Sequence, residues 1–366
     1  MPSSKLETIM RQLIWKTLLL FLLILSGASA AADIDRIHLP AVKAERVRPL
    51  VAIVADNVGT ETTDLVVPYG VLKSADIADI VIVSAQAGTI NRMPALAIES
   101  DMTMETFDKV YPAGADVLIV PAMHDNRSDV VINWVQEQAR KRAFVTAICE
   151  GAWIVARAGI LQGRGATTHW YAFHSIARQF PKTRWIRGRR YVVDHNIMTT
   201  TGVTASIPAS LALVEAMAGC AKARATATEL GIENWTSAHV SAPFRLTVGR
   251  AGLVARNYLA FWKHETLSIP ITEGFDEIAL ALSADAWSRT YRSQAIAISG
   301  NNRVKSRHGL VLVPDKEKDT GYVELFFDQK AASSRFLDTT LEMIAARYGN
   351  ETADLVALQL EYARGE

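Results

Sequence analysis

Val145-Thr-Ala-Ile-Cys-Glu-Gly-Ala-Trp-Ile-Val-Ala-Arg-Ala-Gly-Ile-Leu161 passes from a β-branched run through a cysteine and a glycine into an apolar helical pattern. A strand that turns at once into a helix, with the cysteine at the turn, is a nucleophile elbow, which presents its side chain at the carboxyl end of the strand. The helix dipole and unpaired N–H groups just behind it favour thiolate over thiol, so Cys149 is expected to be exposed and activated. The competing reading is a small buried cysteine closing a core strand. Gly151, two places on, favours the elbow.

Working outward, Pro49–Ala55, Ile80–Ser84, Val117–Pro121 and Phe144–Ile148 are short apolar runs of the kind that form buried parallel strands. Helix-like segments separate them, including Asp129 to Arg142, and this alternation implies a doubly wound α/β sheet. Such sheets bind ligands outside the carboxyl ends of their strands. Three loops leave those ends: Asp56 to Asp64, Pro121 to Asn126, and Cys149 to Gly151. After the elbow helix comes Gly163-Arg-Gly-Ala-Thr-Thr-His-Trp170, from which His169 can return to the strand ends as the base of a cysteine–histidine pair. A satisfied polar histidine is the bland alternative. Trp153 and Trp170 either wall the pocket or pack in the core.

The start of the chain bears on compartment. Lys5, Arg11 and Lys16 precede Leu18-Leu-Leu-Phe-Leu-Leu-Ile-Leu25, and Ser26-Gly-Ala-Ser-Ala-Ala31 supplies small residues. This reads as a secretory signal peptide over residues 1–30, cut after Ala30, because the apolar core is far short of the roughly 20 residues that span a bilayer. The mature protein is then expected in a bacterial periplasm or outside the cell, free of the membrane. With 366 residues, 49% hydrophobic and 21% charged, the chain can bury a large core, and its net charge of +1 gives no long-range attraction to nucleic acid or anionic lipid. The one basic cluster recognised, Arg184 to Tyr191, alternates large apolar and basic residues like a strand with a solvated face. Cys149 and Cys220 are the only cysteines. A disulfide between them would consume the elbow thiol, so both are expected reduced, or Cys149 transiently oxidised. No H-E-x-x-H or C-x-x-C pattern argues for a metal, and no cofactor is implied.

Ala147-Ile-Cys-Glu-Gly-Ala152, Ala158-Gly-Ile-Leu-Gln-Gly163, Ala166-Thr-Thr-His-Trp170 and Thr199-Thr-Thr-Gly-Val-Thr-Ala205 together resemble the PfpI/ThiJ family of the class I glutamine amidotransferase-like superfamily, most of all the sensor half of AraC-type regulators. The resemblance covers about Arg48 to Gly219. It implies a flavodoxin-like fold, Cys149 as nucleophile, His169 as its histidine, and Asp64 as the acid that contacts the thiol. A carboxylate beside a thiolate raises both pKa values unless they share a proton, so Asp64 would serve as the neutral acid. It could equally cap the helix ahead of Leu65, and Glu61 is the other nearby acid. The Glu150 N–H, with one from the loop of Ala122, Met123 and His124, would form an oxyanion hole. Relatives usually carry paired glycines after Pro121, where this chain has Ala122 and Met123. The Thr199–Thr204 run either binds substrate or reflects β propensity. Members of the resembled family include cysteine hydrolases, amidases, glyoxalase-type enzymes, isocyanide hydratases, chaperones and non-catalytic sensors, so the resemblance leaves open a hydrolase or lyase acting on a small molecule, a ligand or redox sensor, and an accessory protein for clients.

The expected organisation is a linker over 31–48, the PfpI-type domain over 49–219, closed by a helix from Pro208 to Ala218, and a C-terminal α/β region over 220–366. No pair of helix-turn-helix patterns follows the domain, so direct contact with nucleic acid is not expected. Ala295–Ser299 and His308–Asp315 parallel Ile80–Ser84 and Leu96–Asp101, and Phe336–Ala345 parallels Ser206–Glu215. These parallels are either chance or a shortened second copy that has lost its elbow. Such a copy would pack on the first as a partner subunit does in dimeric relatives, making an intrachain pseudo-dimer where others form a homodimer. Trp235, Trp262 and Trp287 would suit the seam or the second core.

Overall fold

The computed structural model describes residues 36–44, 46–315, 322–325 and 335–364. The expected signal segment lies outside the described residues. From Ile37 onward the described chain forms one compact unit. The segment read as a linker is docked on it, with Arg46 paired to the buried Asp116 at 2.8 Å and Ile37 and Leu39 against the core.

Seven strands make the central sheet: β1 (Leu50–Ala55), β2 (Asp79–Ser84), β3 (Met102–Thr103), β4 (Val117–Val120), β5 (Phe144–Ala147), β6 (Tyr191–Asp194) and β7 (Ile197–Thr200). Their order is β6-β7-β5-β4-β1-β2-β3, with only the β6–β7 pair antiparallel. The sheet is therefore a flavodoxin-like doubly wound α/β arrangement, as the apolar runs indicate. Side chains along β1 alternate between two cores: Val51, Ile53 and Ala55 face α1 (Thr62–Ala75), while Leu50, Ala52 and Val54 face α2 (Asp129–Arg140). Both faces are buried, which is why β1 reads as a continuous apolar run rather than an alternating one.

The elbow leads into α3 (Ala152–Arg157), and beyond α4 (Ser206–Ala218) and α5 (Cys220–Leu230) lies α6 (Val248–Leu259), after which a second, smaller layer begins. Parallel strands β8 (Glu265–Pro270), β9 (Ser293–Ile298) and β10 (Tyr322–Glu324) run in the order β9-β8-β10, with α7 (Glu277–Ser288) between β8 and β9. This repeats the β2-β1-β4 order with α1 between β1 and β2. The parallel continues at the end. α8 (Arg335–Tyr348) meets α9 (Asn350–Leu360) at Gly349, φ 92° and ψ 157°, and α4 meets α5 at Gly219, φ 83° and ψ 164°. Corresponding elements also meet each other: Val311–Val313 pairs antiparallel with Ala97–Glu99, and α7 packs on α1. The internal parallel read in the sequence is thus a repeat of connectivity in the fold. Of the tryptophans assigned to a seam, Trp287 is buried in the second core and Trp235 packs on the first, but Trp262 is 70% exposed and serves neither.

The elbow depends on Gly151. A Cβ at this position would lie 2.1 Å from the Val120 carbonyl oxygen, which is backbone and cannot step aside. Only glycine lets the new helix start this close to β4. Gly151→Ala is expected to cost about 1–3 kcal/mol in urea unfolding, as overpacking does, with an unchanged m-value.

Candidate functional site

Cys149 sits at the carboxyl end of β5 with φ 54°, in the left-handed region that a non-glycine residue enters only when its surroundings hold it there. Two threonines do so. The Cys149 N–H donates to Thr200 Oγ1 at 3.0 Å, and Thr168 Oγ1 donates to the Cys149 carbonyl at 2.9 Å. One brace thus comes from β7 and the other from the loop that carries His169, and that loop is itself tied to β7, where Thr199 Oγ1 accepts from the Thr167 N–H at 2.7 Å. The elbow is as expected in backbone, but its side chain is not presented to solvent. Cys149 is only 6% exposed. Burial, and then Asp64, Glu150 and Glu61, push its thiol well above the ordinary range, with Arg289 opposing. The expected thiolate is thus replaced by a protonated thiol at rest, because desolvation and nearby carboxylates outweigh the helix terminus.

Asp64 does not cap the helix. Glu61 is the N-cap of α1, its carboxylate accepting from the Asp64 N–H at 2.6 Å, and Asp64 falls in the first turn. Asp64 Oδ2 accepts from the Ala122 N–H at 3.2 Å, while Oδ1 is buried with no hydrogen-bond partner. No hydrogen bond joins it to Cys149 among the described residues. Burial raises the Asp64 pKa to about 7, against the pull of Ala122 and Arg289. Both acid and thiol are raised, as two neighbouring acidic groups should be. Glu61 is also pushed well up by burial and by Asp64. Its other face meets Arg289 Nη2 at 2.7 Å, and Arg289 Nε binds Asp285 Oδ1 at 2.8 Å. Burial works against the Arg289 charge, but Asp285 and Glu61 hold its pKa above the usual value.

His169 is buried nearby without a hydrogen bond to the thiol. Its Nε2 lies 3.1 Å from the Gln359 carbonyl, which can only accept, so Nε2 carries hydrogen. Nδ1 stands 3.7 Å from Glu150 Oε1. The C-terminal end of α9 forms this side of the site. Trp170 Nε1 donates to the Leu358 carbonyl at 2.8 Å, and the buried Glu361 accepts at Oε2 from the Gly202 N–H at 2.8 Å and pairs at Oε1 with His239 at 3.0 Å. Gly202 is required here, since a Cβ would come within 2.5 Å of Glu361 Cβ and 3.0 Å of His169 Cδ2.

Of the oxyanion candidates, the Ala122 N–H is already given to Asp64, and the Ala122 carbonyl and His124 N–H pair with Glu61 and Gly59. Met123 is buried and its N–H makes no described hydrogen bond, so it and the Glu150 N–H are the donors left for an oxyanion. The His124 side chain is exposed. Trp170, Thr167 and Thr168 line a cavity of about 360 Å³ shared with Phe244 and Arg187, whereas Trp153 packs in the core against Phe180. Arg289, Asp285, Gln359 and Glu361 escaped the sequence reading. Only Asp285 and Arg289, four apart on one helix face, carried a local signal.

A parallel sheet ending in a braced cysteine elbow, with a histidine and an acid at hand, defines a cysteine-site α/β protein. The DJ-1/PfpI family model matches residues 50–216. Isonitrile hydratase of Pseudomonas putida is 32% identical over 161 residues, covering 43% of this chain and 67% of the relative. The chain belongs to the DJ-1/PfpI family. The transcriptional regulator GbdR of Pseudomonas aeruginosa is 32% identical over 83 residues, covering 23% of this chain and 22% of the regulator. Among solved structures, DJ-1beta of Drosophila melanogaster is matched over its whole length by 51% of this chain, at 18% identity and a TM-score of 0.46.

Asp64 binds its proton more tightly folded than unfolded, since its value rises from 3.8 to about 7. Its contribution to stability is fully present below the unfolded value and is lost as pH rises through about 7. Between about pH 5 and pH 8, wild-type protein should lose more unfolding free energy than Asp64→Asn, by on the order of a few kcal/mol. The same substitution removes a charge that holds the thiol up, so alkylation of Cys149 at about pH 8, followed by intact mass in a Cys220→Ser background, should quicken several-fold.

Proposed function

We propose that this protein is a cysteine-dependent enzyme that adds water to, or hydrolyses, a small uncharged electrophile. The observation that carries this reading is the strained, braced Cys149 turn set close to a carboxyl whose pKa lies near neutrality. At neutral pH the Asp64 carboxyl is partly ionised and can take the thiol proton as sulfur attacks the electrophilic carbon. It can return that proton to the adduct; water then adds at the same carbon, giving a proton to His169 Nδ1, and cleavage of the carbon–sulfur bond releases the product while that proton restores the Cys149 thiol. The carboxyls of Asp64, Glu61 and Glu150 around the thiol disfavour anionic substrates. The similarity to an isonitrile hydratase makes isonitriles the first compounds to assay, followed by 2-oxoaldehydes and amides.

A second reading, a ligand- or redox-sensing module, draws support from two features. His169 is bonded to a backbone carbonyl and not to the thiol, and the similarity extends to transcriptional regulators. Export is part of the proposal, supported by the basic residues and apolar run before Ala30. The second copy would act as an intrachain partner in place of a separate subunit.

Turnover of a panel compound should fall by at least a thousandfold in Cys149→Ala and by about a hundredfold in His169→Gln. Ligand binding with no turnover in wild type, surviving Cys149→Ala, would decide for sensing. Mass analysis of periplasmic protein should give an amino terminus at Ala31.

A further inference from the structure

We propose that the surface formed by residues 240–264 docks on an anionic lipid bilayer, with α6 lying in the plane of the interface. Seven of the fifteen large apolar residues exposed among the described residues fall between Val240 and Trp262. Val248 is 92% exposed, Phe261 72% and Trp262 70%. They are not scattered. In α6 the inward positions are Leu253, packed with Leu355 and Leu358, and Asn257, which donates to the Thr290 carbonyl and Thr352 Oγ1. Opposite them, at helical spacing, run Val248, Gly252, Ala255 and Leu259, a face with no polar side chain, continued by Phe261 and Trp262.

Charge selects the occupant. The thirty-one residues from Asn234 to His264 contain no Asp or Glu but include Arg245, Arg250, Arg256 and Lys263. Only Arg256 has a carboxylate partner among the described ion pairs, the exposed Glu351. A chain whose net charge is +1 thus concentrates basic groups beside the segment that holds nearly half of the large exposed apolar residues among those described. Two copies meeting symmetrically through this face would oppose like charges with no acid in the segment to compensate. A nucleic acid would leave the aliphatic stripe unused. An anionic bilayer matches both parts: aromatic rings seat at the headgroup level, aliphatic side chains enter below it, and guanidinium and ammonium groups meet lipid phosphates.

The test uses the chain from Ala31, which retains the whole compact unit and removes the apolar leader as a confounding anchor. Co-sedimentation with vesicles of equal parts phosphatidylcholine and phosphatidylglycerol should be strong, and weak with phosphatidylcholine alone. Two surface variants, Phe261→Ser with Trp262→Ser and Arg245→Glu with Lys263→Glu, should each lower partitioning by about tenfold or more, and high salt should weaken wild-type binding. Circular dichroism checks that each variant is folded. Binding absent from anionic vesicles, or equal in wild type and both variants, would overturn the proposal. So would a wild-type dimer in light scattering that becomes monomeric in the Phe261 and Trp262 variant without any vesicle binding.

Discussion

Arg289 is the group on which both walls of the site hang. On one side it is held between the buried carboxylates of Asp285 and Glu61, and Glu61 in turn caps the helix that carries Asp64. On the other, its carbonyl accepts from Gln359 Nε2 at 2.9 Å, fixing the end of α9 whose carbonyls hold His169 and Trp170. Removing the guanidinium would leave two acids buried without their cation, a loss of about 3–5 kcal/mol for a buried pair broken on one side. It would also take from Cys149 the one charge that opposes the surrounding carboxylates. Electrostatics, through the guanidinium, and architecture, through the backbone carbonyl, therefore meet in one residue supplied by the C-terminal region.

Local signals reveal the first domain well, for a physical reason. Strands buried on both faces must be apolar throughout, so β1, β4 and β5 stand out as runs, with β2 buried over most of its length, and the elbow needs a glycine because a Cβ there would press against a carbonyl. The helix of the closing segment is also legible, beginning at Ser206, two residues before Pro208. What local signals miss is burial imposed from far along the chain. His169 is turned toward Gln359, 190 residues away, because the C-terminal region reaches the strand ends, and Cys149 lies buried rather than presented to solvent. No spacing near the elbow reports that. The capping role went to Glu61, since a carboxylate at the N-cap reaches the unpaired N–H of the third helical residue, Asp64, better than one inside the turn.

The repeat is faint in sequence and plain in topology because strand order and helix junctions persist after side chains diverge. Glu61 and Asp276 cap corresponding helices through the same bond to the third residue, yet Asp64 in the first copy is matched by Ala279 in the second. The acid near the thiol has no counterpart where there is no thiol. Glu361 shows divergence in the opposite direction. It ends α9 in the left-handed conformation that Gly231 adopts after α5, and its side chain enters the other copy's site.

Walls supplied by one polypeptide also change how the site responds to dilution. A site completed by a separate subunit disappears when the protein falls below its dissociation constant. Here the residues that wall in Cys149 are tethered to it, at an effective concentration set by chain length and unaffected by how much protein is present. The elbow, its buried cation and its histidine therefore stay assembled in a single molecule.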